Sequence, residues 1–273
     1  MPDSPEALLA FAHRLADETD PIAMAYFAGE LTITAKHDRT LVTQADTGVE
    51  TLLRERIAAT YPEHGVMGEE FGDTAGEAET RWIVDPIDGT HNFVRGIPIW
   101  ATLLAVERSG ELLAALVSAP ALGQRWSAVR GGGAFGGAAG KETPIHVSGV
   151  SQMSQAQILF GTLRSLESGG LGDAVRRLVG GAWRDRGFGD FWGYMLVAQG
   201  SAEVMLEMGP TTWDLAAPSL IVNEAGGSLT DFDGHESFTG PTAVATNAHL
   251  HDAVLQILGE SLSLQATNGA AGA

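Results

Sequence analysis

The chain has 273 residues, room for one large domain or two small ones, and its 44% hydrophobic and 18% charged content permits a sizeable buried core. It has no cysteine, which excludes disulfides, zinc–thiolate sites, iron–sulfur clusters and a cysteine nucleophile. A net charge of −18 with only 16 scattered Lys and Arg argues against nucleic-acid binding. With no membrane-length apolar run, and no signal-peptide pattern in Met1-Pro2-Asp3-Ser4-Pro5-Glu6, the expectation is a cytoplasmic protein without membrane contact.

Apolar Leu8, Leu9, Phe11, Ala12 and Leu15 predict a helix from Pro5 to Phe27, with Asp20-Pro21 as a point of interruption or kinking. Leu31 to Thr34 reads as a short strand. Thr43 has the position of an N-cap for a helix carrying Val49, Leu52, Leu53 and Ile57, stopped at Tyr61-Pro62. Gly65 to Gly68 and Arg81 to Val84 are short apolar strands that end at acids. Ala101 to Val106, Leu112 to Ala119 and Gln124 to Val129 read as a meander, followed by a turn at Gly131-Gly132-Gly133. The second half alternates. Ile158 to Gly161, Trp183 to Arg186 and Ala202 to Leu206 predict strands; Leu171 to Leu178, Phe191 to Ala198, Trp213 to Glu224 and Leu250 to Leu258 predict helices. The small, polar end from Thr267 predicts a flexible tail. There is no internal repeat, and the order of elements indicates an α/β or α+β fold with a large antiparallel component.

The chemistry concentrates at Asp85-Pro86-Ile87-Asp88-Gly89-Thr90, directly after the strand Trp82-Ile83-Val84. Pro86 fixes its own φ and restricts Asp85, Gly89 allows close backbone approach, and the Gly89-Thr90 amides can face an anion. One turn thus offers two hard oxygen ligands beside an anion cradle, the combination that Mg²⁺ and a phosphate require. The plain alternative is an Asp-Pro turn with a helix cap. Gly68-Glu69-Glu70 also follows a strand and reads alternatively as a solvated acidic turn. Asp214 opens a helix, where a carboxylate is favourable to the helix dipole on its own account. Other motifs fail: the Asp85–Asp88 spacing is not Asp-x-Asp, no Walker loop or His-Glu-x-x-His occurs, and Gly187-x-Gly189 with Gly193 lacks the dinucleotide spacing.

Taken together, these groups resemble the signature of the inositol monophosphatase family. It is carried by Gly68-Glu69-Glu70, by Trp82 through Phe93, by Trp213-Asp214-Leu215-Ala216-Ala217 through Asn223-Glu224-Ala225-Gly226-Gly227, and by Leu41-Val42-Thr43-Gln44-Ala45-Asp46. The resemblance implies a layered α-β-α-β-α sandwich of the inositol monophosphatase and fructose-1,6-bisphosphatase type. It implies one catalytic domain over 1–262 with two sub-lobes meeting near 140–155, a flexible tail from 263 to 273, and a homodimer. It implies hydrolysis of small phosphate monoesters with two or three Mg²⁺ per site. By the same resemblance Glu69, Asp85 and the Ile87 carbonyl hold one metal, and Asp85, Asp88 and Asp214 a second. A third uses Glu69 and water. Thr90 paired with Asp46, and Glu70, orient or deprotonate the attacking water, while Gly89 and Thr90 amides hold phosphate oxygens.

Two further segments, Asn92 through Ala101 and Arg186-Gly187-Phe188-Gly189-Asp190-Phe191, resemble the histidinol-phosphate phosphatase branch. L-Histidinol phosphate carries an ammonium and an imidazole. A carboxylate at Asp190 with Glu207 favours such a cation, Phe191 or Trp192 can pack on its ring, and Arg186 can face phosphate or substrate. Alternatively Asp190 caps the following helix and pairs with Arg186. A broader inositol or sugar monophosphatase, or a non-catalytic phosphate binder, remain the competing functions.

Overall fold

The computed structural model describes residues 3–29, 33–35 and 41–270. Ser4 caps α1 (Pro5–Phe27), accepting from the Ala7 amide, and Pro5 takes the first turn, where its missing N–H has no intrahelical role. The helix continues through Pro21, so the expected interruption does not occur; buried Leu15, Ala16, Thr19 and Ala23 anchor both sides of it. β1 (Ile33–Ala35) pairs with β2 (Leu41–Thr43), and the expected strand at Leu31 to Thr34 lies partly outside the described residues. α2 (Gln44–Thr60) starts at the expected Thr43 with a complete capping box that Asp46 closes.

An eight-stranded sheet follows. Its members are β3 (Gly65–Gly68), β4 (Gly72–Thr74), β5 (Thr80–Asp88), then after the short α3 (Thr90–Val94), β6 (Ala101–Arg108), β7 (Glu111–Ala119), β8 (Gln124–Val129), β9 (Gly133–Ala138) and β10 (Thr143–Ile145). The order is β10-β9-β8-β7-β6-β5-β3-β4, antiparallel except for β3 beside β5. The chain then crosses to a second sheet through β11 (Gln157–Phe160), α4 (Leu163–Ser168), α5 (Gly172–Gly181), β12 (Arg184–Arg186), α6 (Asp190–Ala198), β13 (Val204–Met208), α7 (Thr212–Glu224), β14 (Ser228–Thr230), β15 (Thr242–Thr246) and α8 (His251–Ala270). Its order is β12-β11-β13-β15-β14.

The layers follow from which faces are apolar. Leu8, Leu15, Val49, Leu53 and Ile57 of α1 and α2 bury against Trp82, Val84 and Leu104 on one face of the large sheet. The other face, through Ile83, Leu103 and Val117, meets α6 and α7, which are apolar nearly all round and fill the space between the sheets. The far face of the small sheet packs Ile158, Val204 and Val244 on α5 and α8. This is the expected α-β-α-β-α sandwich. α8 runs to Ala270, into the segment read as a tail, which lacks proline. No described helix is long and apolar enough to cross a membrane.

Candidate metal centre and active site

β5 delivers both motif aspartates. Asp85 pairs with Leu103 but Asp88 with Ala101, three steps on β5 against two on β6. The extra residue is a bulge that returns Asp88 to the side on which Asp85 lies. Thr102 Oγ1 donates to the Pro86 carbonyl at 2.8 Å and ties the bulge to β6. Asp214, at the start of α7, joins from the other sheet's side. Oxygens of Asp85, Asp88 and Asp214 lie within 4.8 Å of one another.

Each carboxylate has one oxygen committed to a backbone amide. Ile87 N donates to Asp85 Oδ1 at 3.0 Å, Phe191 N to Asp88 Oδ2 at 2.7 Å, and Thr211 N to Asp214 Oδ2 at 2.7 Å. Asp46 Oδ2 likewise accepts from Thr43 N at 2.7 Å. Asp46 and Asp214 are thus the N3 acids of capping boxes on α2 and α7, so the favourable helix-start placement expected of Asp214 does not exclude a place at the site. The tied oxygen fixes each carboxylate's orientation, the kind of constraint that hydrogen-bond partners place on metal ligands. Thr90 Oγ1 donates to the Ile87 carbonyl at 3.0 Å and stands 3.4 Å from Asp46 Oδ1. Gly89 precedes α3 at φ 81°, a left-handed conformation that favours glycine, and a Cβ there would meet the Ile99 carbonyl at 3.0 Å.

These groups wall a cavity of about 150 Å³ together with Glu69, Asp190, His91 and Leu41. Its described lining holds five carboxylates and no Lys or Arg. Burial, then Glu69, Asp88 and Asp214, push the Asp85 carboxyl well above the usual range. Burial, Asp190 and Asp214 do the same to Asp88, and burial raises Asp214 to about 6. Crowded, desolvated carboxylates of this kind need a cation, and the donor set is all oxygen, which suits a hard divalent ion such as Mg²⁺. The residues therefore fit the metal that the sequence implied. Size does not select the site: a cavity of about 540 Å³ at the opposite end of β5, beside Tyr61, His64, Thr80 and Arg108, has no such cluster. Among the described residues the other close acidic group is Asp231, Asp233 and His235. It is an exposed turn in which Asp231 Oδ1 accepts from the Asp233 and His235 amides.

Of the residues expected from sequence, Glu69, Asp85, Ile87, Asp88, Gly89, Thr90, Asp190 and Asp214 all line the cavity. Asp46 stands behind Thr90. Glu70 is absent from the wall; its amide donates to Glu50 Oε2 at 2.8 Å. Glu207 is also behind the wall. It accepts from Tyr194 OH at 2.6 Å and from the Asp190 amide, and burial raises it to about 8. Arg186 is exposed, with its guanidinium on the Asp185 carbonyl at 2.6 Å, and lines nothing in the cavity. Asp190 neither caps α6, whose N-cap is Gly189, nor pairs with Arg186. At φ 55° it turns Oδ2 to Asn92 Nδ2, 3.3 Å away. Phe191 is 1% exposed and faces the core at Trp126, so it cannot pack on a substrate ring; Trp192 lies against Phe188. Trp213 packs on the central core. Sequence reading passed over His91, Asn92, Tyr194 and Glu50. The first two directly follow the motif, and the last two stand four residues from Asp190 and Asp46, one helical turn away.

A profile of the inositol monophosphatase family matches residues 4–263. The histidinol-phosphatase of Streptomyces coelicolor is 43% identical over 258 residues, which span 92% of this chain and 97% of that one. The crystal structure of the extragenic suppressor protein suhB from Bartonella henselae aligns with a TM-score of 0.86 at 27% identity, over 92% of this chain and 98% of that one. An IMPase/NADP phosphatase solved with Mg²⁺ and phosphate aligns with a TM-score of 0.80 at 25% identity, over 93% and 95% of the two chains.

Proposed function

This chain belongs to the inositol monophosphatase family and is a phosphoric monoester hydrolase; from that premise we propose that its substrate is L-histidinol phosphate and its cofactor Mg²⁺, two or three ions per site. The observation that carries the substrate is Asp190, a carboxylate in the cavity wall one side chain away from the phosphate-facing turn at Gly89. A cationic alcohol gains from it and an uncharged polyol does not. The 43% identity to a histidinol-phosphatase over nearly the full length supports the same choice. The relative solved with Mg²⁺ and phosphate supports the cofactor.

In this reading Glu69, Asp85, Asp88, Asp214 and the Ile87 carbonyl hold the metal. When bound, Mg²⁺ supplies Lewis acidity, polarising water and a phosphoryl oxygen and offsetting charge in the transition state. Thr90 donates its hydrogen bond to the Ile87 carbonyl, so its lone pairs are left to accept a hydrogen bond from the attacking water and orient it. Asp46 stands behind that hydroxyl, and Glu70, outside the cavity wall, takes the water's proton through one intervening water. The Gly89 and Thr90 amides orient phosphate oxygens for in-line attack. Glu207 bears on the alcohol through Asp190, whose amide it holds. Arg186 has no part in binding. The active form is a homodimer, which sedimentation checks as twice the 28.6 kDa chain mass.

Phosphate release from L-histidinol phosphate and from inositol 1-phosphate, at saturating Mg²⁺, tests the substrate. The expected kcat/KM ratio is at least about tenfold in favour of histidinol phosphate, the value of one good charge contact. A preference for inositol phosphate would reverse the assignment while leaving the hydrolase intact.

A further inference from the structure

The geometry points to Glu50 as a positioning residue that, clamped by Arg54, sets the turn carrying Glu69 and Glu70; the inference rests on the proposed metal site and concerns how one side of it is held.

Glu50 is fully buried, a state that an ionised carboxylate tolerates only when paired and hydrogen-bonded. Its partners are specific. Oε1 accepts from Arg54 Nε at 2.8 Å and from the Phe71 amide at 3.2 Å, and Oε2 accepts from the Glu70 amide at 2.8 Å. The two amides follow Glu69 directly, so the carboxylate grips the turn just beyond that residue. The approach is so close that a Cβ at Gly68 would fall 2.1 Å from Oε1, and only glycine fits there. Arg54 closes the clamp from outside. Its guanidinium donates to Thr74 Oγ1 at 2.9 Å and to the Gly72 carbonyl, reaching both ends of β4, and lies 5.9 Å from the exposed Phe71 ring.

Glu50 and Arg54 are four apart on α2, and Asp46 is four before Glu50. Three charged residues on one helical face therefore serve one task. Asp46 meets Thr90, Glu50 fixes the Glu69-Glu70 turn, and Arg54 neutralises Glu50 and holds β4. A neutral core residue of similar volume would suffice for packing alone. Two acceptors aimed at two successive amides define where a turn sits, and through it where Glu69 stands relative to Asp85.

The test is Mg²⁺ binding by isothermal titration calorimetry on the full-length protein without substrate, with amide hydrogen exchange over residues 69–71. Glu50→Gln keeps the shape but sets an amide donor against a backbone N–H. The expected result is Mg²⁺ affinity weakened about 10–100-fold, as for partners of metal ligands generally, with faster exchange at Glu70 and Phe71. Arg54→Met, near the surface, gives a smaller loss in the same direction and carries the test if Glu50→Gln does not fold. Arg125→Met, which breaks the buried contact to Asp17 and Asp20 far from the turn, serves as the stability control: it lowers Tm and leaves Mg²⁺ affinity unchanged. Folded clamp variants that bind Mg²⁺ as the wild type does overturn the inference, as does an equal affinity loss in Arg125→Met. A wild type that binds no Mg²⁺ overturns the metal reading itself, and the clamp with it.

Discussion

Thr90 shows how much one side chain depends on its neighbours. Its hydroxyl has one proton and two nearby acceptors, the Ile87 carbonyl at 3.0 Å and Asp46 Oδ1 at 3.4 Å. With the proton so directed, the oxygen's lone pairs are what it can present to a water. Thr90→Val removes that acceptor at nearly constant volume. Steady-state kinetics should show kcat reduced about 10–100-fold with KM little changed, and Thr90→Ser should recover most of it. Full activity in the valine variant would remove Thr90 from the mechanism. The same scale explains a reading that failed. The plain alternative for Asp190 was that it caps α6 and pairs with Arg186, yet it stands in a left-handed conformation beside Asn92 that composition and spacing do not announce.

Elements decide where these side chains meet. Each acid sits at an element's end: β5 for Asp85 and Asp88, the first turns of α2, α6 and α7 for Asp46, Asp190 and Asp214. The helix starts were legible because capping chemistry is local: Thr43 with Asp46 is a sequence pattern. Thr211 with Asp214 is the same pattern. The bulge between Asp85 and Asp88 was not legible, since it depends on how β6 pairs with β5. Nor were β9, in which three of six residues are Gly, or the three-residue β4, β10 and β14, which have too little alternation to read. The Glu207 contact between β13 and α6 gives a pH prediction. Burial raises Glu207 to about 8 and Asp214 to about 6, above their unfolded values near 4.5 and 3.8. A raised acid favours folding while protonated, so this stability is complete below the unfolded values and is lost as pH climbs through about 6 and then about 8. In chelator, Tm should fall between pH 5 and 8.5. Added Mg²⁺ binds the ionised form and should restore more stability at the alkaline end. A Tm in chelator that rises over that range would contradict the carboxylate crowding.

Across the whole molecule, the site lies where layers meet. The large sheet brings Asp85 and Asp88, the central helices bring Asp214 and Asp190, and the outer helix α2 brings Asp46 from the other face. No single layer holds the full set, which is why three weak motifs, each with a plain structural alternative, became informative only in combination. The sandwich itself was legible through the family resemblance; periodicity alone indicated no more than a mixed fold. What sequence could not supply was the distinction between wall and support. Glu70, Glu207 and Arg186 stood beside the motif residues in the sequence pattern, whereas the wall is formed by Glu69, Asp190 and His91. The proposed Mg²⁺ site of Asp85, Asp88 and Asp214 makes a direct demand on turnover. It is tested most directly by phosphate release from L-histidinol phosphate after chelation and Mg²⁺ re-addition, in the wild type and in Asp88→Asn. Chelation is expected to abolish wild-type turnover and Mg²⁺ to restore it, while Asp88→Asn remains folded and inactive at any Mg²⁺ concentration; turnover that survives chelation, or an Asp88→Asn variant with wild-type activity, would rule the site out.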